Sequence, residues 1–168
     1  MPARSKFVVP ALVISVMATG ALAATAPVAS AAPSRVETMS NGDFDLGRAG
    51  WYARTATTKV TIVNRGRGGS KAAQLSNRRS GRVVLDSRRV ARSTDAGESY
   101  TVSAFVRSTQ RGAVGRMVLR ESSNGVVVRR TYTGFRTTRA WRQVTMTATT
   151  READTDLSVR FVLNRLRP

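Results

Sequence analysis

The sequence contains no cysteine and no histidine. Without cysteine, a folded domain of this chain is held by its core alone, and thiol catalysis and thiolate metal sites are excluded. Without histidine, Ser-His and Cys-His nucleophile activation, His-ligated zinc and the commonest general base are excluded as well. Enzyme chemistry would have to run on carboxylates, Lys, Tyr or Arg. Aromatic residues are scarce, at 6% of the chain. Beyond the N-terminal stretch, no run is apolar enough to span a membrane, which takes about 20 residues. No segment carries a persuasive helical period.

Acidic residues are few: 10 Asp and Glu stand against 28 Lys and Arg, for a net charge of +18. Nearly all the positive charge is arginine, the lysines being Lys6, Lys59 and Lys71. Such a charge attracts polyanions such as nucleic acid, acidic glycans, teichoic-type polymers or anionic membranes. A compositional bias toward arginine at solvated strand positions accounts for the same excess. The arginines are spread over almost every segment, which suits that second reading.

The N-terminus has the layout of a secretory signal peptide. Arg4 and Lys6 form a basic head, Phe7 to Leu22 is mostly apolar and small, and Ala29-Ser30-Ala31 offers a small-x-small cleavage site. Ala21-Leu22-Ala23 is a second candidate site, and an uncleaved membrane anchor is the alternative, disfavoured by Pro10 and the shortness of the run. The expected organisation is a signal peptide over 1–31, a linker or first strand over 32–38, and a secreted binding domain over 39–168.

The remainder alternates. In Gly97 to Ser108, residues Tyr100, Val102, Ala104 and Val106 fall on one side at a period of two, with Thr101, Ser103, Phe105 and Arg107 on the other. That pattern predicts a central strand of an antiparallel sheet. Leu157, Val159, Phe161 and Leu163 predict another strand. Further strands are expected at Val36–Met39, Thr57–Val63, Ala72–Ser76, Arg82–Val90, Val114–Glu121, Val126–Thr131 and Trp141–Thr149. Asn124-Gly125 between two alternating runs predicts a hairpin with a primed turn. The Gly-Arg loop Arg65 to Ser70 lacks the GK[ST] ending of a phosphate-cradling loop. The predicted fold class is all-β, a two-sheet antiparallel β-sandwich of jelly-roll type.

Several of these residues also form an ordered set: Asn41-Gly42-Asp43-Phe44-Asp45, then Trp51, then Lys71-Ala72-Ala73-Gln74-Leu75, then Gly97 to Arg107, then Thr138 to Val144 with Trp141. In order and spacing the set resembles the carbohydrate-binding modules of families 4 and 9, within the galactose-binding-like jelly rolls. The resemblance covers Met39 to Leu163. It implies a secreted, non-catalytic sugar-binding sandwich, often attached to a glycoside hydrolase. It also implies a further final strand with paired acidic residues, which together with a carboxylate matching Asp45 holds a structural calcium. The sequence stops at Arg165-Leu166-Arg167-Pro168, so neither calcium nor any other cofactor is expected, and a sheet edge is expected to lie unpaired.

Sugar recognition on such a scaffold needs flat ring faces flanked by amide, carboxylate or guanidinium groups. The candidate ligand-binding residues are Trp51, Tyr52, Phe105, Arg107, Tyr132 and Phe135, on the concave face or at the loop end; Trp141 is expected in the core. The expected partner is a polysaccharide or an anionic cell-envelope polymer. Arg129-Arg130-Thr131-Tyr132 and Phe135-Arg136 give a thin version of a nucleic-acid surface, but secretion argues against that partner. A basic polyanion-binding or protein-interaction sandwich is the alternative function, with a polysaccharide lyase or glycosidase-associated domain behind it.

Overall fold

The computed structural model describes residues 6–10, 12–15, 41–77, 81–109 and 112–166. Eleven strands occupy most of them: β1 (Lys6–Pro10), β2 (Leu12–Ser15), β3 (Trp51–Ala53), β4 (Thr58–Val63), β5 (Ala72–Asn77), β6 (Gly81–Thr94), β7 (Ser99–Ser108), β8 (Val114–Ser123), β9 (Val126–Arg136), β10 (Arg142–Thr149) and β11 (Thr155–Leu166). Among the described residues the one helical piece is a single 3₁₀ turn at Arg67–Gly69, inside the Gly-Arg loop. The strands form two antiparallel sheets, ordered β10-β7-β1-β5-β4, with β2 also on β7, and β3-β6-β11-β8-β9. This is the predicted all-β sandwich.

The period-two residues build the core as predicted. Along β7, Tyr100, Val102, Ala104 and Val106 are buried while the residues between them are half-exposed. Along β11, Leu157, Val159, Phe161 and Leu163 are 0–1% exposed and join Val102, Met117 and Leu75 in one cluster fed by both sheets. Asn124 and Gly125 have φ of 49° and 80°, so the primed turn forms between β8 and β9. Strand β6 departs from expectation. It runs to Thr94, and five successive residues from Val83 to Ser87 are buried. It lies inside its sheet between β3 and β11, and on its outer face the guanidinium groups of Arg160 and Arg120 sit on Asp86, so alternation of polarity no longer marks exposure.

The Asn41-Gly42-Asp43-Phe44 motif ties the loop ahead of β3. Asn41 adopts φ of 56°, a left-handed conformation its short amide tolerates. Its Nδ2 donates to the carbonyls of Gly47 (3.1 Å) and Ala49 (2.7 Å), and its Oδ1 accepts the Leu46 N–H at 2.8 Å. The Trp51 indole donates to the Asn41 carbonyl at 3.1 Å, and its ring packs between Phe44 (5.3 Å) and Phe161 (6.4 Å).

Strand β1 fills the position between β5 and β7. Lys6 to Pro10 pair with Ser76 to Ala72, and Phe7 and Val8 pair with Ser108 and Arg107 on the other side. An apolar run rich in β-branched residues reads as a strand as readily as a leader segment. The final strand β11 is itself paired on both sides, by β6 and β8, and the open edges of the two sheets are those of β10, β4, β3 and β9. The expected linker at 32–38 and strand at Val36–Met39 lie outside the described residues.

Candidate functional site

The outward side of the first sheet carries a strip along β7 and β10. Ser99, Thr101 and Ser103 face Thr149, Thr147 and Thr145 across the ladder, hydroxyl to hydroxyl, at 3.1, 2.9 and 3.0 Å. Alternate residues recur about every 6.8 Å along a strand, so the strip is a flat, regular row of donors and acceptors. Beyond it the chemistry changes to rings and cations. The guanidinium of Arg67 lies 4.2 Å from the Phe105 ring centroid, and that of Arg107 lies 4.4 Å from the Trp141 ring. Arg107 also donates to the Arg65 carbonyl at 2.9 Å.

Beside these rings opens a cavity of about 420 Å³ lined by Val63, Arg65, Gln74, Arg107 and Arg139 among others. Thr61, Gln74, Val8 and Arg107 share one lateral row across β4, β5, β1 and β7. The arrangement offers an amide, four guanidinium groups, two ring faces and a line of hydroxyls. That set suits hydrogen bonding and stacking to a polyhydroxylated or acidic ligand.

The six residues singled out from sequence do not converge. Phe105 and Arg107 are on this face, with Phe105 packed under Arg67 of the Gly-Arg loop. Trp51 and Phe135 are in the core, 4% and 7% exposed, and neither ring is open to a ligand. Trp51 seals the sandwich against Phe44 and Phe161, whereas Phe135 lies over Gly115, where an added Cβ would fall 2.4 Å from its Cζ. Tyr52 and Tyr132 are exposed on the outer face of the other sheet, 40% and 64%, and Arg116 lies 5.4 Å from the Tyr132 ring. Trp141, expected in the core, is half-buried just ahead of β10, its ring under Arg107. Sequence reasoning did not single out Gln74, Arg65, Arg67 or Arg139 for the site. For Gln74 the signal was present, since it takes the outward parity between Ala73 and Leu75.

The second sheet's outer face holds a buried ion cluster. Asp86, fully buried, accepts two bonds from Arg160, Nε to Oδ1 and Nη2 to Oδ2, both at 2.7 Å. Arg120 Nη1 lies 3.4 Å from the same carboxylate. The bond to Asp86 raises the Arg160 pKa above the ordinary arginine value, against the opposing effect of burial. Glu121, also a buried carboxylate, accepts the backbone N–H groups of Arg151 (2.8 Å) and Glu152 (3.0 Å) and so fixes the turn ahead of β11.

The residues around Asp45 do not fit a calcium ion. Asp45 is exposed with Lys71 Nζ 3.8 Å from its carboxylate, and the same ammonium donates to the Asp45 carbonyl at 3.0 Å. An ammonium that close repels a second cation. Among the described residues no three acidic side chains gather at one point.

The carbohydrate binding domain model CBM_4_9 matches residues 36–166 of the chain. Among solved structures, the N-terminal CBM22-1–GH10 modules of Clostridium thermocellum endo-1,4-beta-D-xylanase 10B, complexed with xylohexaose, align at 16% identity and a TM-score of 0.54. That alignment covers 70% of this chain and 25% of the xylanase chain, so this chain spans a quarter of it. A family 16 carbohydrate binding module aligns at 18% identity and a TM-score of 0.51, over 76% of this chain and 96% of that one. Likeness at these identities bears on the fold alone. No curated protein matches the chain in sequence.

Proposed function

The chain belongs to the CBM_4_9 family of carbohydrate-binding domains, and from that premise we propose that it is a secreted, non-catalytic module that binds a polysaccharide or an anionic cell-envelope polymer across the β7–β10 face of its first sheet. The observation that carries this reading is the pairing of two rings with two guanidinium groups, Phe105 under Arg67 and Trp141 under Arg107, beside the Gln74 cavity. A cation–π contact at an exposed site is worth only about 0.5–1 kcal/mol. A sugar ring therefore displaces either guanidinium at small cost, and the freed arginine is then available to an acidic substituent or a hydroxyl. Gln74 and the Ser/Thr ladder supply the neutral hydrogen bonds. Arg65 and Arg139 add charge that is screened by salt.

Secretion rests on the basic head and apolar run of residues 1–31. Among the described residues no helix is long and apolar enough to cross a membrane.

The test is binding of the full chain to a panel of neutral and acidic polysaccharides at low and high salt. Trp141→Ala should weaken binding about tenfold, the effect of losing a central contact worth roughly 1.4 kcal/mol, while Tyr132→Ala on the opposite sheet should not. Moderate loss of affinity at high salt is expected for acidic glycans. An absence of affinity for every polysaccharide at low salt, or equal effects of the two ring removals, would refute the assignment.

A further inference from the structure

The second sheet has a cavity that glycan stacking leaves unused. It measures about 570 Å³ and is walled by Tyr52 and four arginines, Arg88, Arg89, Arg92 and Arg120. Register explains its shape. Ser158 pairs with Arg89 on one side and Arg120 on the other, so a small residue sits between two long ones and leaves a depression.

The charges around it do not balance. Arg120 and Arg160 share the single carboxylate of Asp86, and Arg89 pairs with Asp156 at 3.0 Å. Among the described residues no carboxylate lies within ion-pair distance of Arg88 or Arg92. Five arginines thus meet two carboxylates. The Arg120 side chain is 11% exposed, and its buried Nε has no hydrogen-bond acceptor. A concave site lined by one sign of charge concentrates its field on the space between the walls. A guanidinium presents paired donors that match the spacing of oxygens on phosphate, sulfate or carboxylate.

We propose that this cavity binds an oxyanion, held by Arg88, Arg92 and Arg120 with the Tyr52 hydroxyl as a further donor. It lies on the outer face of the sheet opposite the Phe105–Trp141 strip, so both faces can be occupied at once. The assignment does not rest on sugar binding at that strip. The oxyanion is carried either as a phosphate group of an envelope polymer or as the carboxylate of a uronic acid, and the two are told apart by experiment.

The full chain is titrated with inorganic phosphate and, separately, with glucuronate in a constant chloride background, followed by amide chemical shifts and calorimetry. The expected result is saturable one-to-one binding of at least one of them, with shifts centred on Gly50, Ser87 and Ser158. Arg88→Gln with Arg92→Gln should weaken it by about tenfold or more, since hydrogen bonds to charged groups are the strong ones. Arg136→Gln with Arg142→Gln removes the same charge elsewhere and should leave it within twofold. All four side chains are solvent-exposed, and thermal melts verify that both double variants fold. Phosphate saturating alone identifies a phosphate-type ligand, glucuronate alone a uronate. No saturable binding of either, or equal loss in the two double variants, overturns the proposal in favour of diffuse charge.

Discussion

Replacing Asp86 by Asn tests how the second sheet tolerates its arginines. The carboxylate is fully buried and is the shared partner of Arg160, at 2.7 Å through two bonds, and Arg120, at 3.4 Å. The Asn side chain keeps the shape and one acceptor but cancels the charge. Removing one partner of a buried pair costs about 3–5 kcal/mol, mostly as uncompensated charge. Here Arg160 is 21% exposed, so water relieves part of the cost and the lower end, about 3 kcal/mol, is expected. For a domain of this size that corresponds to a fall in melting temperature of roughly 10 °C. Urea and thermal unfolding measure it directly. If the cost comes from stranded charge, adding Arg160→Gln to Asp86→Asn should recover part of the loss rather than add to it. A single variant within about 1 kcal/mol of the parent, or a double variant that is simply additive, would refute the argument.

Val102→Asp and Phe161→Asp should each abolish folding, because both positions are 0% exposed in the shared core and an unpaired carboxylate there costs a large part of a margin of about 5–15 kcal/mol; collapsed amide dispersion is the readout, and native-like melts would contradict the core assignment. Mass analysis of the exported chain should find a start at Ala32. In that form the alternate amides of β5 that bond to β1 instead of β4 should exchange faster than in the uncut chain, since they lose their partner strand; unchanged protection would mean that another segment takes its place.

How much of this was legible depended on whether one face of an element met water. Strands β7 and β11 each have a buried and a wetter side, so Val102 and Phe161 announced themselves by spacing. The Asn124-Gly125 turn was legible for a different reason, since few other residues accept positive φ. The strand at Arg82–Val90 was legible too, within β6, but its buried side was not, because Val84, Asp86 and Ser87 are buried along with Val83 and Leu85, and polarity there reports ion pairing instead of exposure. The site was half legible. Parity put Phe105 and Arg107 on one face, but whether Tyr132 shares it depends on which sheet takes β9, a question of pairings remote in sequence. Trp51 and Trp141 look alike in a list of aromatics. What separates them is Asn41, whose carbonyl takes the Trp51 indole proton and commits that ring to the core.

The N-terminal segment joins the two halves of the functional argument. Lys6–Pro10 is read as part of a leader from its charge and apolarity, yet the strand it forms lies between Gln74 and Arg107, with Val8 paired to both. Those two residues line the cavity of the proposed glycan face. A change that withdraws the segment separates them from a common partner and leaves backbone groups of β5 and β7 without their ladder, which is costly unless another strand or water satisfies them. Occupancy of that position therefore sets the spacing of the Gln74 amide and the Arg107 guanidinium, and with it the width of the face offered to a ligand. The ion cluster and the oxyanion cavity lie in the other sheet, built from β3, β6, β8 and β11. Among the described residues none of these strands pairs with β1.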